Sequence, residues 1–371
     1  MRIEEFGLER YFAEHEFKVK HLLSASDCES LSLTELLEMA SPEAAGLWHE
    51  LRLGYTESQG HPLLRAAIAQ LYGSVRPDGV VVAAPEEAIF VAMHALLEPG
   101  DHVVVLAPAY QSLHEVARSI GCNVTRWPLS AEGGRWALDL GALDLAARPD
   151  TRMIVVNFPH SPTGFQPSRA ELDTIVALAG ARGAWLFSDE MYRLLELDPA
   201  DRLPPAADLY ERGISLSGMS KAFGLPGLRI GWLAARAPGL PARFLALKDY
   251  TTICNGAPSE VLALVGLQAR ERILARNLAI VRANVDAAER FFAAHAVRIE
   301  WLAPRAGSVA FPRWRGEGTA DDLCRLLLDG KGAMLAPGSL FDAPAHVRIG
   351  LGRRDLPAGL ALLGEVLTSA R

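Results

Sequence analysis

Short runs of apolar, mostly β-branched residues alternate with stretches of helical apolar spacing between about residues 80 and 235. The runs are GVVVAAP, HVVVLAP, NVTRWPL, MIVVNFP, AWLFSDE, ISLSGMS and RIGWLAA. Continuous apolar runs are typical of strands buried on both faces, and their alternation with helical patterns is typical of βαβ units. The pattern therefore predicts an α/β fold, with a doubly wound, mostly parallel seven-stranded sheet flanked by helices.

Helical spacing dominates the two flanks of this region. Before residue 75, SLSLTELLEMA follows a Ser/Thr cap signal and HPLLRAAIAQLYG is amphipathic. After residue 255, a long helical pattern, broken once, leads into short strands and a closing amphipathic helix, DLPAGLALLGEVLTSA. We therefore expect an N-terminal segment over 1–40, a large ligand-binding domain over 41–255, and a smaller α/β domain over 256–371 that packs with the N-terminal segment.

Composition and charge exclude several classes of partner. The 371 residues include 37 Lys and Arg against 44 Asp and Glu, a formal charge of −7 at pH 7. An acidic chain without a Lys/Arg block is not expected to bind nucleic acid or an anionic membrane surface. The four cysteines are far apart, which fits neither a zinc site nor a disulfide framework. Without a signal-like or membrane-spanning stretch, the sequence predicts a cytoplasmic protein with no metal.

Chemically reactive residues follow the predicted strands where each strand ends. Tyr110 follows HVVVLAP, Ser161 follows MIVVNFP, Asp189 and Tyr192 end or follow AWLF, and Lys221 follows ISLS. Ligands of open parallel sheets bind at the carboxyl ends of the strands, so these side chains should converge on one rim. An amine, a carboxylate and aromatic side chains are what pyridoxal 5′-phosphate requires for its aldehyde, its pyridine nitrogen and its ring face.

The segment Ser217-Gly-Met-Ser-Lys-Ala-Phe-Gly-Leu-Pro-Gly-Leu-Arg-Ile-Gly231 carries a specific resemblance. It is similar to the lysine motif of the fold-type I pyridoxal-phosphate-dependent aminotransferases, the class I/II family, and the resemblance extends over nearly the whole chain. It implies that Lys221 forms the Schiff base with the cofactor and that Arg229 binds the cofactor phosphate. Ser220 and Ser217 would join the phosphate pocket.

Further motifs of the same family occur in the expected order. Ser188-Asp-Glu-Met-Tyr192 resembles its Asp-x-x-Tyr motif, which implies that Asp189 contacts the pyridine nitrogen and Tyr192 the ring oxygen. Pro108-Ala-Tyr110 resembles the segment whose aromatic residue stacks on the ring. Gly54-Tyr55 resembles the segment whose Tyr reaches the phosphate of the neighbouring subunit, which implies a homodimer with shared active sites.

Near the C-terminus, His346-Val-Arg348-Ile-Gly resembles the segment whose Arg binds the substrate α-carboxylate. A planar guanidinium suits a carboxylate better than a lysine does, because it can donate two parallel hydrogen bonds. Six such motifs in family order over about 300 residues make a chance match very unlikely.

Two positions depart from the family pattern. Ser161-Pro-Thr-Gly164 stands where Asn-Pro-Thr-Gly is usual, so either Ser161 contacts the ring oxygen through a water or Asn157 or Tyr192 carries more of that role. Ala84-Pro85 stands where two small residues usually begin the phosphate-binding helix, and a proline removes one amide donor. Glu86 and Glu87 are therefore expected to contribute backbone amides only.

Each candidate also has a purely structural interpretation. Asp189 could cap a helix, Tyr110 and Tyr192 could be core aromatics, Arg348 could pair with an acid on a strand surface, and Tyr55 could pack in a subunit interface. The order and spacing of the motifs favour the functional interpretation.

The resemblance implies an aminotransferase that passes an amino group from an L-α-amino acid to a 2-oxo acid. Lys221 would move the proton at the substrate Cα, with Asp189 and Tyr192 as its catalytic partners. The alternative is a lyase, decarboxylase, cyclase or oxidase of an amino acid on the same fold, including a role like that of capreomycidine synthase. A non-catalytic module of a transcription regulator is disfavoured, because such proteins carry a basic winged-helix domain and only about 50 mixed-charge residues precede Tyr55. The sequence does not identify the substrate side chain.

Overall fold

The computed structural model describes residues 2–369 as an alternation of helices and strands. The strands are β1 (His21–Leu22), β2 (Val80–Ala83), β3 (His102–Ala107), β4 (Asn123–Glu132), β5 (Arg135–Leu138), β6 (Thr151–Asn157), β7 (Trp185–Asp189), β8 (Gly213–Gly218), β9 (Gly231–Ala235), β10 (Ile299–Glu300), β11 (Val309–Ala310), β12 (Arg313–Trp314), β13 (Ala333–Met334), β14 (Ala336–Pro337) and β15 (Val347–Gly350). The helices are α1 (Gly7–His15), α2 (Leu33–Leu37), α3 (Pro42–His49), α4 (Pro62–Ala69), α5 (Pro85–Leu96), α6 (Ser112–Ile120), α7 (Leu140–Ala146), α8 (Arg169–Arg182), α9 (Ala206–Leu209), α10 (Leu240–Lys248), α11 (Ala257–Gln268), α12 (Arg270–Ala294), α13 (Ala320–Lys331) and α14 (Leu356–Ser369).

An eight-stranded sheet in the order β2-β9-β8-β7-β6-β3-β4-β5 forms the centre of the molecule. Neighbouring strands from β4 through β3, β6 and β7 to β8 are parallel, whereas β9 runs antiparallel to both β8 and β2. The predicted α/β fold with a mostly parallel sheet is confirmed, and all seven predicted runs are strands of it. The eighth strand, β5, extends the sheet as an antiparallel hairpin with β4.

Helices cover both faces of this sheet because the apolar side chains of its strands point alternately to the two sides. Val103 and Val105 of β3 pack in a cluster with residues of α5, α6 and α10, whereas Val104 and Leu106 pack in a second cluster with residues of α7 and α8. Strands buried on both faces explain the continuous apolar runs in the sequence.

Local signals fix where several helices begin and end. Ser168 caps α8 in a reciprocal box with Glu171, and the helix ends at Gly183 in the left-handed conformation. Helix α5 begins differently, with Pro85 in its first turn after Ala84, which has no capping side chain. The single break predicted in the long helical pattern occurs at Ala269, between α11 and α12.

The N-terminal segment lies against the C-terminal region. Strand β1 pairs in parallel with β13, and Leu8 of α1 packs in a cluster with Phe311 and Phe341. In the same region β15 lies between β11 and β14 in a three-stranded antiparallel sheet. The division into domains at residues 40 and 255 stays a prediction. Within residues 2–369, no helix combines the length and apolar character that a membrane span requires.

Candidate active site

Three neighbouring strands bring the first candidate residues to one edge of the sheet. Asn157 ends β6 and Asp189 ends β7, and the two are direct partners in the parallel register. Strand β8 runs beside β7 and ends at Gly218, three residues before Lys221. The carboxyl ends of parallel strands meet at one edge, so this geometry is the one expected of a ligand site in an open sheet.

The amine of Lys221 lies within this edge. Its Nζ donates a hydrogen bond of 2.6 Å to Ser26 Oγ from the N-terminal segment. It also lies close enough to Asp189 to lower the pKa of that carboxyl. An amine and a buried carboxyl therefore face the same space.

Asp189 is a carboxyl in an environment that disfavours its charge. The residue is 7% exposed, and Oδ1 accepts a hydrogen bond of 3.1 Å from the Met191 amide. Burial raises the pKa of Asp189 from 3.8 to about 7, more than the nearby Lys221 lowers it. A protonated pyridine nitrogen facing this carboxyl would supply the charge-assisted hydrogen bond that its surroundings lack, so the site fits pyridoxal phosphate.

The side chain of Asn157 is already bound to backbone groups. Its Nδ2 donates to the Asp189 carbonyl at 2.7 Å, and its Oδ1 accepts from the Ser161 amide at 2.7 Å. Asn157 therefore joins the ends of β6 and β7 to the turn that carries Ser161. At this turn the Ser161 hydroxyl stands where the family pattern has an amide.

The other end of the edge brings together groups that suit a phosphate. A Cβ added to Gly231 would lie 2.8 Å from the Ser217 carbonyl oxygen and 2.9 Å from Pro85, so the end of β8 and the start of α5 approach closely. Ser220 is buried beside them, and the Arg229 guanidinium lies near enough to lower the pKa of Glu86. First-turn amides of a helix have no intrahelical acceptor, so those of α5 are available to an anion.

The side chains of Glu86 and Glu87 have environments that the sequence did not predict. Burial raises the pKa of Glu86 to about 7 despite the nearby Arg229. Glu87 Oε1 accepts hydrogen bonds from the hydroxyls of Thr251 and Thr252, which holds that loop against the start of α5. The Glu87 side chain thus tethers one chain segment to another, and the role of its backbone amide stays a prediction.

Arg348 on β15 is a buried cation without a carboxylate partner. The residue is 3% exposed, and its Nη2 donates to the Ser24 carbonyl at 2.9 Å. Its guanidinium lies 5.4 Å from the ring centroid of Phe12 and 5.3 Å from that of Phe341. Among the side chains that the structure describes, Nε has no hydrogen-bond partner and no carboxylate lies within ion-pair distance of the guanidinium. Burial therefore lowers the pKa of Arg348, and an incoming carboxylate would relieve this cost.

Tyr110 and Tyr192 both lie within electrostatic range of Arg348. Tyr192 is buried, and Gly307 packs against its ring. The Tyr110 hydroxyl donates a hydrogen bond of 2.6 Å to Glu9 Oε1, and its ring centroid lies 4.9 Å from that of Phe6. The two phenols thus connect the sheet edge to the Arg348 side of the site.

Tyr55 is the one predicted residue that the chain does not bring into this group. It is 93% exposed, on the loop between α3 and α4. Tyr55 therefore lies outside the group of residues that could hold a cofactor within the same chain.

No sequence motif indicated the N-terminal contributors to the site. Ser24 and Ser26 bind Arg348 and Lys221, and Gly350 donates from its amide to the Leu23 carbonyl at 2.6 Å. A Cβ on Gly350 would collide with the Ala25 carbonyl oxygen, so this close approach requires glycine. These contacts link residues more than 190 positions apart, which no local motif encodes.

Comparison with known proteins gives one consistent result. The profile of the family described as aminotransferase class I and II matches residues 20–355. Capreomycidine synthase from Streptomyces vinaceus is 35% identical, over 98% of this chain and 94% of that protein. A pyridoxal-phosphate-dependent aminotransferase from Streptococcus suis superposes with a TM-score of 0.93 at 30% identity, over 99% of this chain and 98% of the other. The pyridoxal-phosphate-dependent cyclase OrfR superposes with a TM-score of 0.92 at 30% identity, over 100% and 99%. The chain therefore belongs to the class I and II aminotransferase family, whose enzymes have the fold-type I architecture and use pyridoxal 5′-phosphate.

Proposed function

We propose that this enzyme transfers the amino group of an L-α-amino acid to a 2-oxo acid, with Lys221 as the proton carrier. The strongest support is the presence of three groups in one site: the half-buried amine of Lys221, the buried carboxyl of Asp189 and the buried guanidinium of Arg348. Neither of the two buried groups has an oppositely charged partner in an ion pair among the described residues. Together they provide for the cofactor aldehyde, the cofactor ring nitrogen and the substrate carboxylate.

Pyridoxal phosphate, when bound, supplies an aldehyde that takes up amino groups and a ring that withdraws electrons from the substrate Cα. We propose that Lys221 holds that aldehyde, Asp189 keeps the ring nitrogen protonated, and Tyr110 covers the ring face. Tyr192 and Ser161 are proposed to contact the ring oxygen, with Asn157 fixing the position of both strand ends. Ser217, Ser220, Arg229 and the amides of Glu86 and Glu87 are proposed to bind the phosphate.

The residues of this chain then divide the work of the reaction. Arg348 pairs with the substrate α-carboxylate and so fixes which substituent of Cα faces Lys221. Once displaced from the cofactor, the Lys221 amine would accept the Cα proton at Nζ and donate it to the carbon that carried the cofactor aldehyde. Ser26 Oγ, 2.6 Å from Nζ, limits the orientations of that amine.

We further propose a homodimer in which Tyr55 of one subunit reaches the phosphate of the other. Large apolar side chains are exposed on two adjacent loops: Leu53, Tyr55, Tyr250 and Ile253. Lys248 Nζ joins these loops by donating to the carbonyls of Ser58 and Ile253, at 2.8 and 3.0 Å. Glu87 ties the second loop to the start of α5, so a subunit docked on this surface would approach the proposed phosphate pocket. All four cysteines are unpaired thiols, which supports a cytoplasmic location.

Cyclisation of an amino acid is the second candidate, because the same residues that move a Cα proton can also start an elimination. It is favoured by the likeness to capreomycidine synthase and to the cyclase OrfR, each of which extends over nearly the whole chain. The departure at Ser161 also supports this candidate, because a hydroxyl rather than the usual amide would face the proposed ring oxygen.

The two candidates are distinguished by their products. We expect purified wild-type enzyme with cofactor, an amino-acid panel and pyruvate to form alanine and the 2-oxo acid of the donor. Lys221→Ala should lose this activity and the visible absorption of the lysine-bound cofactor, whereas Lys18→Ala, on the exposed surface, should retain both. A cyclic amino acid formed without consumption of pyruvate would replace transamination by the second candidate, and a colourless wild type after reconstitution would refute both.

A further inference from the structure

One face of helix α1 is turned toward the proposed substrate site. Glu9, Phe12 and Glu16 are spaced i, i+3 and i+7, so they follow one side of the helix and its C-cap. The Phe12 ring lies 5.4 Å from the Arg348 guanidinium, and Glu9 accepts a hydrogen bond from Tyr110. These two contacts fix the orientation of the whole face.

The two carboxylates of this face lie within electrostatic range of cations but form no ion pair with them among the described residues. The Glu9 carboxylate accepts from the Tyr110 hydroxyl, and within residues 2–369 neither Glu9 nor Glu16 has a Lys, Arg or His nitrogen within 4.0 Å. Asp27, the next carboxylate in this space, already pairs with Arg353 at 3.1 Å. Burial, Asp27 and Glu9 raise the pKa of Glu16, and Arg353 and Lys221 lower it less, which places the three carboxylates and these two cations within electrostatic range of one another.

The two free cations nearby are assigned to other parts of the substrate and cofactor. Lys221 is proposed to hold the aldehyde, and Arg348, buried with an unpaired Nε, is proposed to bind the α-carboxylate. An amino acid bound to Arg348 would therefore extend its side chain along a face that carries two carboxylates without an ion-pair partner. A cationic side chain would gain an ion pair with a carboxylate of this face, which a neutral or acidic side chain would not.

We propose that the substrate is an amino acid with a cationic side chain, an ammonium or a guanidinium, and that Glu9 and Glu16 select it. The inference rests on the proposed function, because it uses Arg348 as the site of the α-carboxylate. Glu9 and Glu16 act as specificity-determining residues and take no part in the proton transfer.

The test compares steady-state kinetics of the holoenzyme with arginine, ornithine, norleucine and glutamate. We expect kcat/KM to be highest for one of the two cationic amino acids, and the choice between them identifies guanidinium or ammonium. Glu9→Gln and Glu16→Gln should each lower kcat/KM for that substrate about 10- to 100-fold, as expected when a charged hydrogen-bond partner is lost, while kcat/KM for norleucine stays unchanged or rises. Glu14→Gln, on the exposed side of the same helix, is the matched control.

A binding measurement separates this inference from the proposed function. Calorimetry with 5-guanidinopentanoate and 5-(trimethylammonio)pentanoate, neither of which has a primary amine that could add to the cofactor aldehyde, reports recognition of the cation alone, with hexanoate as the neutral control. Preferential binding of a cationic analogue, weakened in Glu16→Gln, supports the inference even if no amino group is transferred. Equal turnover of cationic and neutral amino acids, unaffected by either substitution, would overturn the inference and leave the aminotransferase proposal standing. Glu16 donates from its backbone amide to the Phe12 carbonyl at 2.8 Å, but its carboxylate makes no hydrogen bond among the side chains that the structure describes, so Glu16→Gln leaves the helix contact intact.

Discussion

The raised pKa of Asp189 should make the cofactor-free enzyme less stable as the pH rises. The pKa is about 7 in the folded protein against an ordinary value of 3.8. Below pH 3.8 both folded and unfolded chains bind this proton, but between about pH 4 and about pH 7 only the folded chain keeps it. At about 1.4 kcal/mol per pKa unit, the free energy of unfolding should fall by about 4 kcal/mol over this range because of Asp189 alone.

The substitution Asp189→Asn removes this ionisation while keeping the side-chain shape. Urea unfolding of the cofactor-free protein, followed by circular dichroism at several pH values, measures the free energy of unfolding. Between about pH 4 and about pH 7, the decrease in this free energy should be about 4 kcal/mol smaller for Asp189→Asn than for wild type. Asp286→Asn, at an exposed position of α12, should behave like wild type. Glu86 has a pKa raised in the same direction, so Asp189→Asn should retain part of the pH dependence.

Pyridoxal phosphate should stabilise the wild type most at higher pH, because its ring nitrogen would then donate a hydrogen bond to ionised Asp189. Asp189→Asn should be stabilised much less, because it has no ionised carboxylate at this position. An Asp189→Asn protein whose stability changes with pH as steeply as that of wild type would refute the reasoning, since the buried carboxyl would then not be the group that titrates.

Three further substitutions test other parts of the site. Arg348→Lys should lower kcat/KM about 10- to 100-fold in steady-state kinetics, because an ammonium cannot form the planar two-bond pair with a carboxylate; an unchanged value would place the carboxylate elsewhere. Ser161→Asn should shift the visible absorption band of the bound cofactor, since an amide replaces a hydroxyl at the proposed ring oxygen; an unchanged spectrum would remove Ser161 from that contact. Tyr55→Phe should raise the dissociation constant for pyridoxal phosphate about tenfold in a cofactor titration without changing the sedimentation coefficient of the protein, if the proposed dimer forms. An unaltered constant would argue against a phosphate contact from the second subunit.

The sheet was predictable because its physical cause is local in sequence. Strands buried on both faces need apolar residues at every position, and seven such runs are visible without any knowledge of their partners. Strand β5 escaped prediction because it lies at the sheet edge, where Trp136 and Leu138 are only half-buried and the run is short. The pair Gly133-Gly134, between β4 and β5, was a sequence signal for this hairpin, and both residues have the positive φ angles that such a turn requires.

The candidate site was predictable only in its motif-bearing part. Lys221 and Asp189 follow or end neighbouring strands of the central sheet, so sequence order and strand ends are enough to bring them to one edge. Arg348 lies on β15 of the separate three-stranded sheet, and only its resemblance to the family motif indicated it. Ser24 and Ser26 join them through tertiary packing of the N-terminal segment, and no residue near them in sequence indicates that packing. The tether formed by the Glu87 side chain was missed for the same reason, since Thr251 and Thr252 are more than 160 residues away.

The close approach of Gly350 to Ala25 has a consequence for how the enzyme can vary. The backbone of Gly350 lies against Ala25, and the chain on either side of Ala25 provides the oxygens of Ser24 and Ser26 that bind Arg348 and Lys221, the two cations proposed to act on the amino acid. A single methyl group at position 350 would displace that chain and disturb both cations together. We therefore expect position 350 to tolerate less mutational drift than many residues that line the pocket directly, because its effect reaches both ends of the substrate at once.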